Sequence, residues 1–223
     1  MRLNSLFKIN LKTICFNLRT FPFWVAIKLP VLIERHTIVK HTYMGGVQIN
    51  STIQTGMLQI GYIDFSNAMS STRDISVVNI HKGGVIELNG CCSFSAGSCL
   101  NIESTGHLIL NDGCSFNART NIECHKKIYF GKNSLISWDC QFLDTDFHYI
   151  YSNGKKQNNL EEITIGDNCW ICCNVICLKG SKIPNNCVIG SYSLVNRIFE
   201  KQNSLYAGNP ARLKKENIDW DII

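Results

Sequence analysis

The chain has 223 residues, 45% of them hydrophobic and 17% charged, with 16 Gly, 4 Pro, 12 Cys and a formal net charge of +5. That balance excludes a disordered, collagen-like or low-complexity chain and leaves room for one sizeable core. Lys8, Lys12, Arg19 and Lys28 break up the N-terminal stretch, so no secretory h-region forms, and no apolar run is long enough to span a membrane. A reduced, cytoplasmic setting is therefore expected, with the cysteines serving some purpose other than a disulfide framework.

Charge is unevenly distributed. Residues 1–46 carry seven Lys or Arg against Glu34 alone, whereas residues 47–223 carry 15 basic and 16 acidic residues. Within the basic segment Leu3, Phe7, Leu11, Ile14, Leu18 and Phe21 recur at steps of three or four, the stripe of an amphipathic helix ending before Pro22. The stripe predicts a helical leader over residues 1–46 that packs on the rest of the fold. The alternative places its basic face near anionic lipid or an anionic polymer, with peripheral membrane association through residues 1–20.

From residue 88 a six-residue period takes over. Leu88, Phe94 and Leu100 are followed by Leu110, Phe116 and Ile122, then Phe130, Ile136 and Phe142. After an interruption come Ile165, Ile171, Cys177, Ile183, Ile189 and Val195 at unbroken intervals of six. Four positions after these residues stand Cys92, Ser98, Ser104, Cys114, Thr120, Ser134, Cys140, Cys169, Val175, Ser181, Cys187 and Ser193, eleven of them Ser, Thr or Cys. Two constraints in phase specify a mainly β solenoid of triangular section, three hexads to a turn, with the aliphatic residue inward and a small residue at each crowded corner. Gly131-Lys132-Asn133 and Gly166-Asp167-Asn168 supply tight corners. Coils are expected over residues 47–200, with a tail and short C-terminal helix over 201–223.

The breaks at residues 106–109 and 128–129 read as slightly enlarged corners, but at one place both rules fail together. Where the hexad from Phe142 should continue, Asp146 replaces the small residue and His148 the aliphatic one, and a polar loop, residues 149–162, follows. Loops breaking a regular scaffold commonly carry function. An imidazole there suits general-base chemistry, because a hydroxyl is a poor nucleophile while protonated. His36, His41, His81, His107 and His125 have no comparable setting and read as surface or packing residues. The adjacent pairs Cys91-Cys92 and Cys172-Cys173 do not read as zinc ligands, and the histidines supply no close pair, so no metal is expected. Basic residues are not interleaved with aromatics on the repeat, so nucleic acid is not an expected partner.

The run IGDNCWICCNVICLKGSKIPNNCVIGSYSLV, followed by YAGNPARLKKENI, resembles the hexapeptide-repeat acyltransferases. LDTDFHYI, the leader KTICFNLRTFPFWVAIKLP and the spacing to IGDNCWI are similar to the O-acetyltransferases of capsule and lipopolysaccharide synthesis. The resemblance implies a left-handed parallel β-helix, acetyl-CoA as co-substrate, a carbohydrate acceptor and a homotrimer with sites between subunits. It implies His148 as catalytic base, oriented by Asp144, Asp146 or a backbone carbonyl, and Trp170 beside the thioester. Cofactor contacts would fall on Trp170, Cys172, Cys173, Gly190, Ser191, Asn196, Arg197, Arg212 and Lys215, with Lys214 nearby and a backbone N–H near Cys172 or Cys173 for the oxyanion. Asn121 or Asn117, with Asp144 and Asp146, would meet the acceptor. Two further readings remain: an N-acyltransferase acting on an amino-sugar nucleotide, and a β-helix scaffold without catalysis.

Overall fold

A computed structural model describes residues 8–63 and 74–221. The chain winds as a left-handed parallel β-helix whose three faces are sheets of nine, seven and six strands, here faces 1, 2 and 3. Successive coils pair in parallel and in register, as in Ser93↔Ser115↔Leu135↔Trp170 on face 1 and Leu100↔Ile122↔Phe142↔Cys177 on face 2.

All fifteen residues read as inward from the six-residue period are buried, none more than 2% exposed. Each can shield its face only against a neighbouring coil, so the core is a column, with Phe94 stacked on Phe116 at 4.0 Å and Phe116, Phe130 and Phe142 in edge contact above. The small positions do more than fit a corner. Cys92, Cys114, Cys140 and Cys169 donate their thiols to the carbonyls of Asn111, Gly131, Cys172 and Pro184 in the next coil, and Ser134 does the same to Gly166. Burial pushes the Cys140 and Cys169 thiols up to about 12, which keeps them protonated as donors. Ser104 departs from the pattern and is exposed, because its corner is enlarged. Buried Gly106 takes the crowded place there, where a Cβ would come within 2.1 Å of the Cys124 carbonyl oxygen.

Three boundaries differ from the sequence expectation. Coiling begins at Val31–Ile33, which pairs with Leu58–Ile60, well before residue 47. At the other end, Ser204–Ala207 still pairs in parallel with Val188–Ile189 on face 1. The short C-terminal helix is a strand instead: Arg212–Glu216 turns back antiparallel on Ser204–Ala207, since that open edge offers backbone partners that five exposed residues would lack as an isolated helix.

The leader forms α1 (Leu11–Thr20) and, after Pro22, α2 (Phe23–Ala26), but α1 is turned opposite to the apolar stripe. Its buried side chains are Thr13, Phe16, Asn17 and Thr20, whereas Leu11, Ile14 and Leu18 face outward. The first strand has an unpaired edge, and α1 satisfies it with polar groups. Asn17 donates to the Val31 carbonyl and accepts from its N–H, and the Thr13 hydroxyl does both for Ile33. Hydrogen-bonding an otherwise orphaned buried edge outweighs covering three leucine-type side chains. Leu3 and Phe7 lie outside the described residues.

Candidate active site

Face 2 breaks after Gln141–Leu143, and the chain leaves the helix at the corner between faces 2 and 3. Asp144 anchors the exit. Fully buried, its carboxylate accepts from the N–H groups of His125 (2.7 Å), Lys126 (2.8 Å) and Lys127 (2.8 Å) in the coil below. Burial raises its pKa against the opposing pull of those three N–H bonds. A carboxylate so occupied cannot reach an acceptor or orient a histidine, which corrects the expectation for Asp144.

Beyond it the backbone tightens. Phe147 N–H donates to the Thr145 hydroxyl, Phe147 adopts a left-handed conformation (φ 59°), and its ring meets His125 edge-on at 5.5 Å. This turn projects His148 outward, with its backbone N–H on the Asp146 carbonyl at 2.6 Å and its side chain exposed. The Asp146 carboxylate is held 3.1 Å from Lys179 Nζ, so Asp146 fixes His148 through the main chain and not through its imidazole. Lys179, unmarked in the sequence, also donates to the Asn158 carbonyl and ties down the far side of the loop. The loop is itself a hairpin, Tyr151–Ser152 against Lys155–Lys156, standing clear of the solenoid with Tyr149, Ile150 and Tyr151 exposed.

Trp170 lies elsewhere, on the outer side of face 1. Its indole N–H donates to the Ser137 hydroxyl in the coil below at 3.2 Å, and its ring is 5.9 Å from Trp220, whose own N–H meets the Asn168 carbonyl. Ser137 and Trp220 have no motif around them, and their role emerges only once distant coils stack. Along face 1 the positions Trp170, Val188, Leu205 and Lys215 stand directly in register, with Val188 itself buried. Three strand steps of about 4.8 Å thus separate the indole from a lysine across an apolar track. Arg212 pairs with Ala207 at the same end and is exposed.

At the corner between faces 1 and 2, Cys173 and Ser191 touch through their side chains at 3.3 Å. Gly190 lets the chain above approach closely, because a Cβ there would fall 2.8 Å from that of Ala207. The Cys172 N–H is consumed by the Ile189 carbonyl and cannot serve an oxyanion, which leaves Cys173 of the two. Burial also pushes the Cys172 thiol up to about 11. The spacing Cys169-Trp170-Ile171-Cys172 is a CxxC, yet Cys169 is buried with its thiol on Pro184, and no group of three metal-ligating side chains occurs among the described residues.

The anticipated residues therefore fall into two sets. Trp170, Cys172, Cys173, Gly190, Ser191, Arg212 and Lys215 share face 1 and its corner with face 2. His148 and Asp146 share the opposite corner of face 2 with exposed Asn196 and Arg197, which lie two coils toward the C-terminus. Asn121, paired with Gln141, sits at the entry edge of face 2, away from the loop, with its side-chain oxygen buried and without a hydrogen-bond partner.

No known family description matches the chain. Over 101 residues it is 40% identical to an uncharacterized 24.8 kDa protein in the cps region of Klebsiella pneumoniae, a match spanning 45% of each chain. Over 96 residues it is 31% identical to a polysialic acid O-acetyltransferase of Neisseria meningitidis, covering 42% of this chain and 45% of that one. The chain thus matches under half the length of these curated relatives. Among solved structures, a hexapeptide-repeat containing acetyltransferase from Vibrio cholerae shares the fold, with a TM-score of 0.51 and 20% identity over 61% of this chain and 75% of that chain.

Proposed function

We propose that this protein is an acetyl-CoA-dependent O-acetyltransferase that modifies a hydroxyl of a polysaccharide, an oligosaccharide or a sugar precursor. The observation that carries the reading is an exposed imidazole projected by a buried carboxylate where the inward and small positions of the six-residue period fail together. The similarity to a polysialic acid O-acetyltransferase supports it.

His148 takes the proton of the acceptor hydroxyl as the oxygen attacks the thioester carbonyl. The tetrahedral oxyanion meets the Cys173 N–H, the C–S bond breaks, and the imidazolium returns the proton to the departing CoA sulfur. No enzyme cysteine becomes acylated. The donor would lie along face 1, its pantetheine arm beside Leu205 and its phosphates toward Arg212 and Lys215, where guanidinium and ammonium groups suit anionic oxygens. Replacing Arg212 and Lys215 together by alanine is expected to raise KM for acetyl-CoA about tenfold or more, from the loss of charge-assisted bonds worth about 1.5–3 kcal/mol each. The rise should shrink as salt is added, and an unchanged KM would place the phosphates elsewhere.

One chain holds His148 and Trp170 on opposite sides of a face, so a complete site needs a second copy, and a homotrimer of parallel solenoids supplies it. Mixing inactive His148→Ala and Trp170→Ala chains and refolding them together should restore a fraction of the activity, because some interfaces then combine two intact halves. Failure of the mixture to recover any activity would refute a shared site. Screening hydroxyl acceptors against amino sugars with labelled acetyl-CoA tests the bond formed.

A further inference from the structure

We propose that the outward side of α1 and α2 is a docking surface for an anionic membrane. On a helix each residue turns about 100°, so Leu11, Ile14 and Leu18 form one strip diametrically opposite the buried Thr13, Phe16, Asn17 and Thr20. Leu11 is 75% exposed, and α2 continues the surface with Phe23, Ile27 and Trp24, the last 74% exposed. Six large apolar side chains are exposed along α1, α2 and its cap residue Ile27, more than the single apolar residues an ordinary surface scatters.

The charge beside the patch selects the occupant. Lys12, whose ammonium also donates to the Arg35 and Thr37 carbonyls, and exposed Arg19 flank the strip on one side, and Lys28 follows α2. Between α1 and the strand Ile38–His41 lies a cleft of about 340 Å³, with Lys12 and Arg19 at its sides and Cys15, Phe16, Ile38 and Val39 as its apolar lining. Cations beside an apolar floor match a lipid that carries a phosphate next to its acyl chain. In sequence, residues 1–46 hold seven basic residues against one acid, in a chain otherwise near neutral. A second copy docked by two-fold symmetry would set these cations against their own equivalents, which disfavours self-association through this face. The helices are too short to span a bilayer, and no described helix is long and apolar enough to do so. They suit the interfacial plane, with exposed Trp24 and Phe23 at headgroup depth and the polar side clamped to the first coil.

This inference is independent of the acceptor. It would hold the coil axis at a membrane surface with the opposite, C-terminal end of face 1 directed away from the lipid.

The test is co-sedimentation of the full chain with vesicles of phosphatidylglycerol and phosphatidylcholine, against phosphatidylcholine alone. Binding is expected only to the anionic vesicles and should weaken as salt rises. Brominated acyl chains should quench Trp24 fluorescence, a signal absent in Trp24→Phe. Leu11→Ser with Leu18→Ser should lower partitioning about tenfold or more, and Arg19→Glu should lower it about tenfold. These positions are exposed, so the variants should keep the wild-type circular dichroism and melting temperature. Wild-type protein that leaves anionic vesicles unbound would overturn the proposal. So would a change in oligomeric state on sedimentation velocity in the leucine variants, which would assign the patch to another copy of the chain.

Discussion

Replacing His148 by alanine is expected to lower kcat by roughly 10²–10⁴-fold while leaving the affinity for acetyl-CoA unchanged. The imidazole is exposed, and His148 shares neither face nor corner with the track that runs from Trp170 to Lys215. Removing it takes away the proton acceptor and disturbs no packing, so the melting temperature should stay where it was. Calorimetric titration with acetyl-CoA beside steady-state kinetics separates the two effects. Partial recovery in buffer containing free imidazole would mark the loss as one of proton transfer. A variant that retained near wild-type turnover would remove His148 from the chemistry and return the loop to a purely binding role.

The second large effect falls on stability. Asp144→Ala leaves three part-buried N–H groups, those of His125, Lys126 and Lys127, without their acceptor. An unsatisfied buried donor costs about 1–3 kcal/mol, and water reaches part of these three, so the substitution should destabilise the fold by about 2 kcal/mol or more. Asp144→Asn keeps one oxygen acceptor and sets its amide donors against the remaining N–H groups, so it should fall between wild type and alanine. Urea denaturation followed by far-ultraviolet circular dichroism gives the three midpoints. Because Asp144 also fixes the start of the turn that projects His148, the folded fraction of the asparagine variant should lose kcat more than acceptor affinity. A selective rise in acceptor KM at full stability would instead restore the carboxylate to direct acceptor contact.

These two aspartates show why a motif is only partly legible. Asp144 and Asp146 stand two apart in LDTDFHYI and are chemically identical, yet one is sealed beneath the exit and the other is tied to Lys179. Their partners lie 17 to 19 residues back and 33 residues ahead in the chain, distances that no local pattern encodes. The cysteines were more readable. Their six-residue phase placed Cys92, Cys114, Cys140, Cys169 and Cys187 at corners, and the structure adds only that each thiol donates to a backbone carbonyl.

The leader was legible as a helix and misleading as to its orientation. A stripe of Leu and Ile predicts burial when the other elements offer an apolar surface to cover. Here they offer the bare edge of a first strand, and Thr13 and Asn17 answer that need better than any leucine.

The sequence by itself determined the coil, its triangular section, the fifteen inward side chains and the point where the period breaks. Each of these follows from short-range periodicity, in which a side chain's direction is set by its position in the hexad. Only the tertiary structure decided which side of α1 is buried, which partner holds each aspartate of LDTDFH, and that Trp170 and Lys215, 45 residues apart, stand on one line. Those outcomes depend on which coils stack, because hydrogen-bond partners and electrostatic neighbours are chosen across strands and not along the chain.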